Sequence, residues 1–228
     1  VLPQNLKQAL NDYCRVLDQA KKEGLIGNVQ FVAIPTTSGT GSEVTDFSVI
    51  TAPEKGIKYP IVDESLLPDV AVLDAKLTVT VPKSITAYTG MDVLTHAIEA
   101  LASKHATDFS DAPAEKAIKL VRDNLLKAYR EPDNLEARQA MHHASCLAGI
   151  AFNNAGLGLN HGMAHALGGK FHIPHGKANA VLLPYVMGFN AGCYDQLTEH
   201  ARGYARIARL IHVESSSIRQ SALNLIRS

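Results

Sequence analysis

A chain of 228 residues is long enough to bury a substantial core, as one large domain or two small ones. Its 22 lysines and arginines balance 22 aspartates and glutamates, so no net field points to nucleic acid or an anionic membrane as partner. The three cysteines, Cys14, Cys146 and Cys193, lie far apart and suit a reducing compartment, while ten histidines form the larger reserve of metal ligands.

The opening VLPQNLKQAL has neither an initiator methionine nor a basic stretch followed by an apolar one. The apolar runs VTVPKSITAYTG and NAVLLPYVMGF are broken by prolines and polar residues, so no membrane span is expected. The default is a soluble, cytoplasmic protein. In chain order, periodicity predicts a helix over 3–23 stopped by Gly24, then a buried strand in NVQFVAIP ending at Pro35. A loop follows in TTSGTGSEVTDF, and strand-like pieces at 48–51, 58–62 and 70–73 are separated by turn residues.

Near Pro82 the pattern changes. Helical spacing then runs through 85–103, 112–129, 135–149 and 162–168, with Pro132 marking a break. Another helix is expected to begin near Asn179, and HARGYARIARLIHV and SSIRQSALNLIR supply two more. The expected organisation is an α/β piece over 1–82 and a helical piece over 83–228.

Two stretches carry chemistry. In TTSGTGSEVT, Gly39 and Gly41 would let backbone approach a ligand, and Thr36, Thr37, Thr40 and Ser42 offer hydroxyls to phosphate oxygens. The stretch lacks both GxGxxG and a Walker lysine, and an ordinary Ser/Thr/Gly turn reads equally well. In TGMDVLTHAIEA, Asp92 and His96 stand one turn apart on one helix face, with Glu99 near the same stripe. A surface ion pair or a hydrogen-bonded core histidine would explain them alone, and a histidine-rich core without metal is the alternative for the wider set. However, GLNHGMAHALGGKFHIPHGK adds His161, His165, His172 and His175 within fifteen positions. One carboxylate with several imidazoles suits Fe(II), Zn, Co or Mn, although spacing alone does not choose the ligands. HExxH is absent because glycine follows His161. The pair His142–His143, in a helix of small apolar residues, is expected to pack or hydrogen-bond rather than to ligate.

The segments AIPTTSGTGSEVT, LLPDVAVLDAKLT, TGMDVLTHAIEA, FNNAGLGLNHGMAHALGG and IPHGKANAVLLP together resemble the iron-containing (group III) alcohol dehydrogenase family. Among its branches they are most similar to the propanol and ethanol dehydrogenases of bacterial propanediol and ethanolamine utilisation. The resemblance is strongest over 31–190 and fades toward both ends. It implies a dehydroquinate synthase-like fold, with a partial Rossmann-like nucleotide domain followed by an all-helical metal domain. It implies Fe(2+), with Zn as an alternative, held by Asp92, His96, His161 and His175. It also places His165 near the nicotinamide as a catalytic proton-relay residue. NAD(H) or NADP(H) would meet Thr36, Thr37, Thr40 and Ser42, with Val49, Lys58 and Leu77 lining the dinucleotide, while Asp74 fixes the turn after VAVLD.

The implied reaction interconverts a short-chain primary alcohol and its aldehyde, in a homo-oligomer located in the cytoplasm or a bacterial microcompartment. A glycerol dehydrogenase-like enzyme and a catalytically silent, metal-stabilised scaffold are the alternatives. Family members are longer and carry a GGGS-type phosphate loop upstream of TTSGTGS, so the chain reads as truncated.

Overall fold

The computed structural model describes Arg15, Gln19 and residues 22–24, 30–52, 57–193 and 195–228, the side chains of 51–59 excepted. The helix expected over 3–23 falls largely outside these residues. The first strands among the described residues are short. Strand β1 (Val32–Ala33) pairs in parallel with β4 (Val70–Ala71). Strands β2 (Phe47–Ala52) and β3 (Ile57–Val62) form an antiparallel hairpin in the register Phe47↔Val62 to Ala52↔Ile57.

The buried strand expected in NVQFVAIP is corrected. Phe31 and Ile34 are each 51 % exposed, and among the described residues of the run only two find a ladder partner. A run of apolar residues makes a buried strand only where other elements cover both faces. Among the described residues that cover is not there. The turn after VAVLD is held as expected: Asp74 accepts from the Lys76 amide at 2.9 Å and caps a 3-10 turn over Ala75–Thr78.

Seven helices follow in the described residues: α1 (Lys83–Ala102), α2 (Asp108–Arg130), α3 (Leu135–Ala155), α4 (Leu159–Phe171), α5 (His175–Ala191), α6 (His200–Leu210) and α7 (Ile218–Arg227). The largest departures from the boundaries that periodicity predicts have local reasons. Helix α2 starts earlier because Thr107 and Ser110 form a reciprocal capping box. Helix α3 runs through Gly149 and stops at Gly156, whose φ of 80° takes the chain out of the helix. Helix α5 begins at His175 rather than near Asn179, because Pro174, at φ −53°, stands immediately before its first turn.

The core lies among α1, α2, α3, α5, α6 and α7. Its large members, Val93, Ile98, Ile118, Val121, Met141, Phe152 and Ile207, are separated by many fully buried alanines. Such alternation of large and small side chains lets helix axes approach and interlock. At one contact even a methyl group would not fit. A Cβ on Gly176 would stand 2.0 Å from the Tyr88 carbonyl oxygen, so α5 rests directly on the backbone of α1.

The TTSGTGS loop is fastened to the helices rather than standing free. A Cβ on Gly39 would meet the Thr89 side chain at 2.7 Å, and one on Gly41 would meet Gly149 Cα at 2.8 Å. Gly41 also has a left-handed φ of 62°. The side on which each of these two glycines would carry a Cβ is therefore filled by α1 and α3. Ser38 Oγ lies 3.1 Å from His142 Nδ1, which accounts for one member of the histidine pair on α3. The other, His143, has Nε2 3.0 Å from the Gln139 amide. Beyond Gly41, Glu43 is buried beside Cys146, and burial raises its carboxyl above the ordinary range.

Two outcomes test this packing. Gly176→Ala is expected to destabilise the chain by about 1–3 kcal/mol through forced separation of α5 from α1, read as a lowered Tm; an unchanged Tm would contradict the seating of the two helices. Burial, with Glu43 adding to it, pushes the Cys146 thiol up to about 11. The thiolate is then scarce at pH 8 and grows as pH rises. Peptide-resolved alkylation of Cys146 at pH 8 should be roughly a hundredfold slower in the native chain than in denaturant. Equal rates in the two states would refute the burial.

Candidate metal centre

Helix α1 brings its acid and imidazole inward together. Asp92 and His96, one turn apart, are both buried, at 4 % and 5 % exposure. Behind His96 the Phe152 ring of α3 stacks at 4.5 Å between centroids, and His161 of α4 stacks on it at the same distance. His175, the first residue of α5, brings Nε2 to 3.4 Å from Asp92 Oδ1, and His161 Nε2 stands 3.5 Å from the same oxygen. Three helices thus converge on one carboxylate oxygen.

Ligand atoms of Asp92, His96 and His161 all lie within 4.8 Å of one another. His175 adjoins Asp92 but stands outside that tightest group. Between them is a residue that sequence reading did not single out. Asn179 Nδ2 donates to Asp92 Oδ1 at 2.6 Å and lies 3.1 Å from His161 Nε2 and 3.2 Å from His175 Nε2. Its own oxygen accepts from Asn160 Nδ2 at 2.9 Å, which sets which way the amide faces. Both asparagines are fully buried. The available signal was spacing: Asn179 is four residues after His175, on the same helix face.

Electrostatics follow from this crowding. Burial would raise Asp92, but the imidazoles of His96, His161 and His175 outweigh it and hold the carboxyl well below its usual range. Burial drives His96 down to about 3, against the upward pull of Asp92, so this ring is a neutral donor at ordinary pH. The Gly39 backbone also pulls His96 upward. His161 goes the other way: burial lowers it, yet hydrogen bonds to Asp92 and Glu99 push it up to about 9. A negative charge facing neutral or displaceable imidazole nitrogens is a setting for a divalent cation.

His165 follows His161 by one turn on α4, and its ring stacks on His175 at 4.9 Å. His172 is exposed at the left-handed end of α4 and stays apart from the cluster. Of the residues expected to meet a dinucleotide, Thr36, Thr40 and Ser42 are exposed and Thr37 half-buried. Thr40 Oγ1 and Ser42 Oγ hydrogen-bond to each other at 3.2 Å. Val49 on β2 and Leu77 in the 3-10 turn are exposed, at 44 % and 42 %. Lys58 lies on β3, with its side chain outside the described residues. No helix among the described residues is long and apolar enough to cross a membrane.

Comparison with known proteins agrees with this geometry. Residues 86–228 match the C-terminal model of the Fe-containing alcohol dehydrogenase family, and residues 2–75 match the iron-containing alcohol dehydrogenase model. The likeness therefore extends toward both ends, past the 31–190 core of the motifs. The chain is 59 % identical over 178 residues to the 1-propanol dehydrogenase PduQ of Salmonella typhimurium, covering 78 % of this chain and 47 % of that protein. It is 48 % identical over 206 residues to the NADPH-dependent butanol dehydrogenase of Clostridium saccharobutylicum, covering 89 % and 51 %. An iron-containing alcohol dehydrogenase structure from Thermococcus thioreducens superposes with a TM-score of 0.77 at 43 % identity, covering 87 % of this chain and 49 % of that one. The chain spans about half the length of these two curated relatives and a smaller share of several others that it matches. With the family model matched from residue 86 to residue 228, through every element of the metal cluster, the chain belongs to the iron-containing alcohol dehydrogenase family.

Proposed function

We propose that this chain carries the metal-binding half of a nicotinamide-linked dehydrogenase that interconverts short-chain primary alcohols and aldehydes. The observation that carries the reading is the buried convergence of Asp92, His96 and His161 in a chain of this family. Its division into an α/β part over 1–82 and a helical part over 83–228 is part of the proposal, supported by the family models meeting between residues 75 and 86. Asp92, His96, His161 and His175 are the proposed ligands. One carboxylate with three imidazoles suits Fe(2+) and also Zn(2+).

When bound, such an ion polarises the substrate oxygen, and NAD(H) or NADP(H) exchanges hydride with the carbon bearing it. The chain's own contribution is placement. Asp92 is held in position by Asn179, and His96 is clamped between Phe152 and His161. Rigid side chains of this kind lower the entropic cost of reaching a reactive geometry. His165 is half-buried beside His175 and is proposed to pass a proton to or from the substrate oxygen, as an imidazole can near neutral pH. Thr36, Thr37, Thr40 and Ser42, on the loop fastened to α1 and α3, are proposed to bind the dinucleotide, with Val49, Lys58 and Leu77 alongside. A homo-oligomeric state and a cytoplasmic or microcompartment setting belong to the same proposal and rest on the family likeness.

The test is anaerobic reconstitution with Fe(2+) or Zn(2+), followed by elemental analysis and by NADH or NADPH oxidation with propanal. One equivalent of metal is expected in the wild type. His161→Ala should lower metal affinity more than a hundredfold, since losing even a supporting partner costs about 10–100-fold. A variant that retains its full metal content would sink the ligand assignment. Metal bound without aldehyde-dependent oxidation of either reduced cofactor would sink the dehydrogenase reading.

A further inference from the structure

We propose that Glu99 is a positioning residue for this metal site, holding the first turn of α4 and the His161 ring with a single carboxylate. The proposal rests on the ligand reading above and adds a residue that touches none of the reacting atoms. Glu99 is only 7 % exposed and projects from α1, the helix that also carries Asp92 and His96. Its Oε1 accepts from the Asn160 backbone amide at 2.8 Å, and its Oε2 lies 2.5 Å from His161 Nδ1.

The two contacts have different consequences. Helix α4 starts at Gly158 with no side-chain cap of its own. The amides of a helix's first turn need acceptors and attract negative charge. Glu99 supplies that acceptor from another helix, one residue before His161. Gly158 makes the approach possible, because a Cβ there would stand 2.9 Å from Glu99 Oε1.

At the ring, a carboxylate has only acceptor oxygens, so the hydrogen between Oε2 and Nδ1 belongs to the imidazole. With Nδ1 carrying that hydrogen, Nε2 is the nitrogen left to face Asp92 and Asn179. Carboxylates behind ligating histidines orient the ring and fix its tautomer in the same way. A further link ties this to the opposite wall. Asn160, held at its backbone by Glu99, donates from its side chain to Asn179 Oδ1, and Asn179 in turn donates to Asp92. Displacing Glu99 therefore loosens ligands on two helices while removing none of them.

Glu99→Gln keeps the size of the side chain but leaves one acceptor oxygen for two donors. The test titrates the metal-free full chain anaerobically with Co(2+), in competition with a chelator, and records the visible absorption of the bound ion. Thermal unfolding of the metal-free protein runs alongside. We expect Glu99→Gln to weaken Co(2+) binding about 10–100-fold and to alter the visible spectrum. Co(2+) affinity and spectrum equal to wild type would overturn the proposal. Should Glu99→Gln fail to fold, Gly158→Ala crowds the carboxylate without changing its charge. It is expected to alter the spectrum as well, and an unchanged spectrum there overturns the proposal equally. Failure of the wild type itself to bind Co(2+) would instead remove the ligand reading on which Glu99 depends.

Discussion

A carboxylate taken out of water must be met by donors, and the helical half of this protein is arranged around meeting one. Asp92 Oδ1 receives the Asn179 amide at 2.6 Å and faces two imidazole nitrogens at 3.4 and 3.5 Å, from helices that begin 67 and 83 positions later. Leaving such a charge buried without partners costs several kcal/mol by general experience. The requirement therefore acts on the chain as a whole. Helices α4 and α5 must return to α1 with particular side chains inward, and each small residue between them serves that return.

Glycine is where the cost of this approach is visible. Gly176 sets α5 against the Tyr88 carbonyl, immediately after His175, and Gly158 leaves room for Glu99 immediately before α4. Gly39 and Gly41 do the same for the hydroxyl-rich loop, pressing it onto Thr89 and Gly149. That loop thus begins its course one helical turn from Asp92. The side chains proposed to hold a dinucleotide and those proposed to hold a metal share α1 as a common wall.

Much of this was legible from residue spacing. The four-residue interval between Asp92 and His96 gave a shared helix face, and the same interval placed His161 with His165. Ordered motifs then assigned the ligands by resemblance. What spacing could not show were the partners of the ligands. Asn160 and the second contact of Glu99 arise from three helices meeting and no local pattern marks them, while Asn179 is marked only by its four-residue interval from His175. One sequence reading also failed because it assumed surroundings that the described residues do not provide. FVAIP has the composition of a covered strand but lies open.

The centre draws on segments more than eighty positions apart, and an unfolded chain would not hold those segments together. An ion bound there is consequently a ligand of the folded state alone, and mass action makes its free concentration a determinant of how much chain is folded. At a thousandfold excess over its dissociation constant, such an ion adds about 4 kcal/mol, a large share of a typical domain's margin. Starved of metal, the protein would lose more than a reaction: the balance between its folded population and the pool open to proteolysis would shift with it.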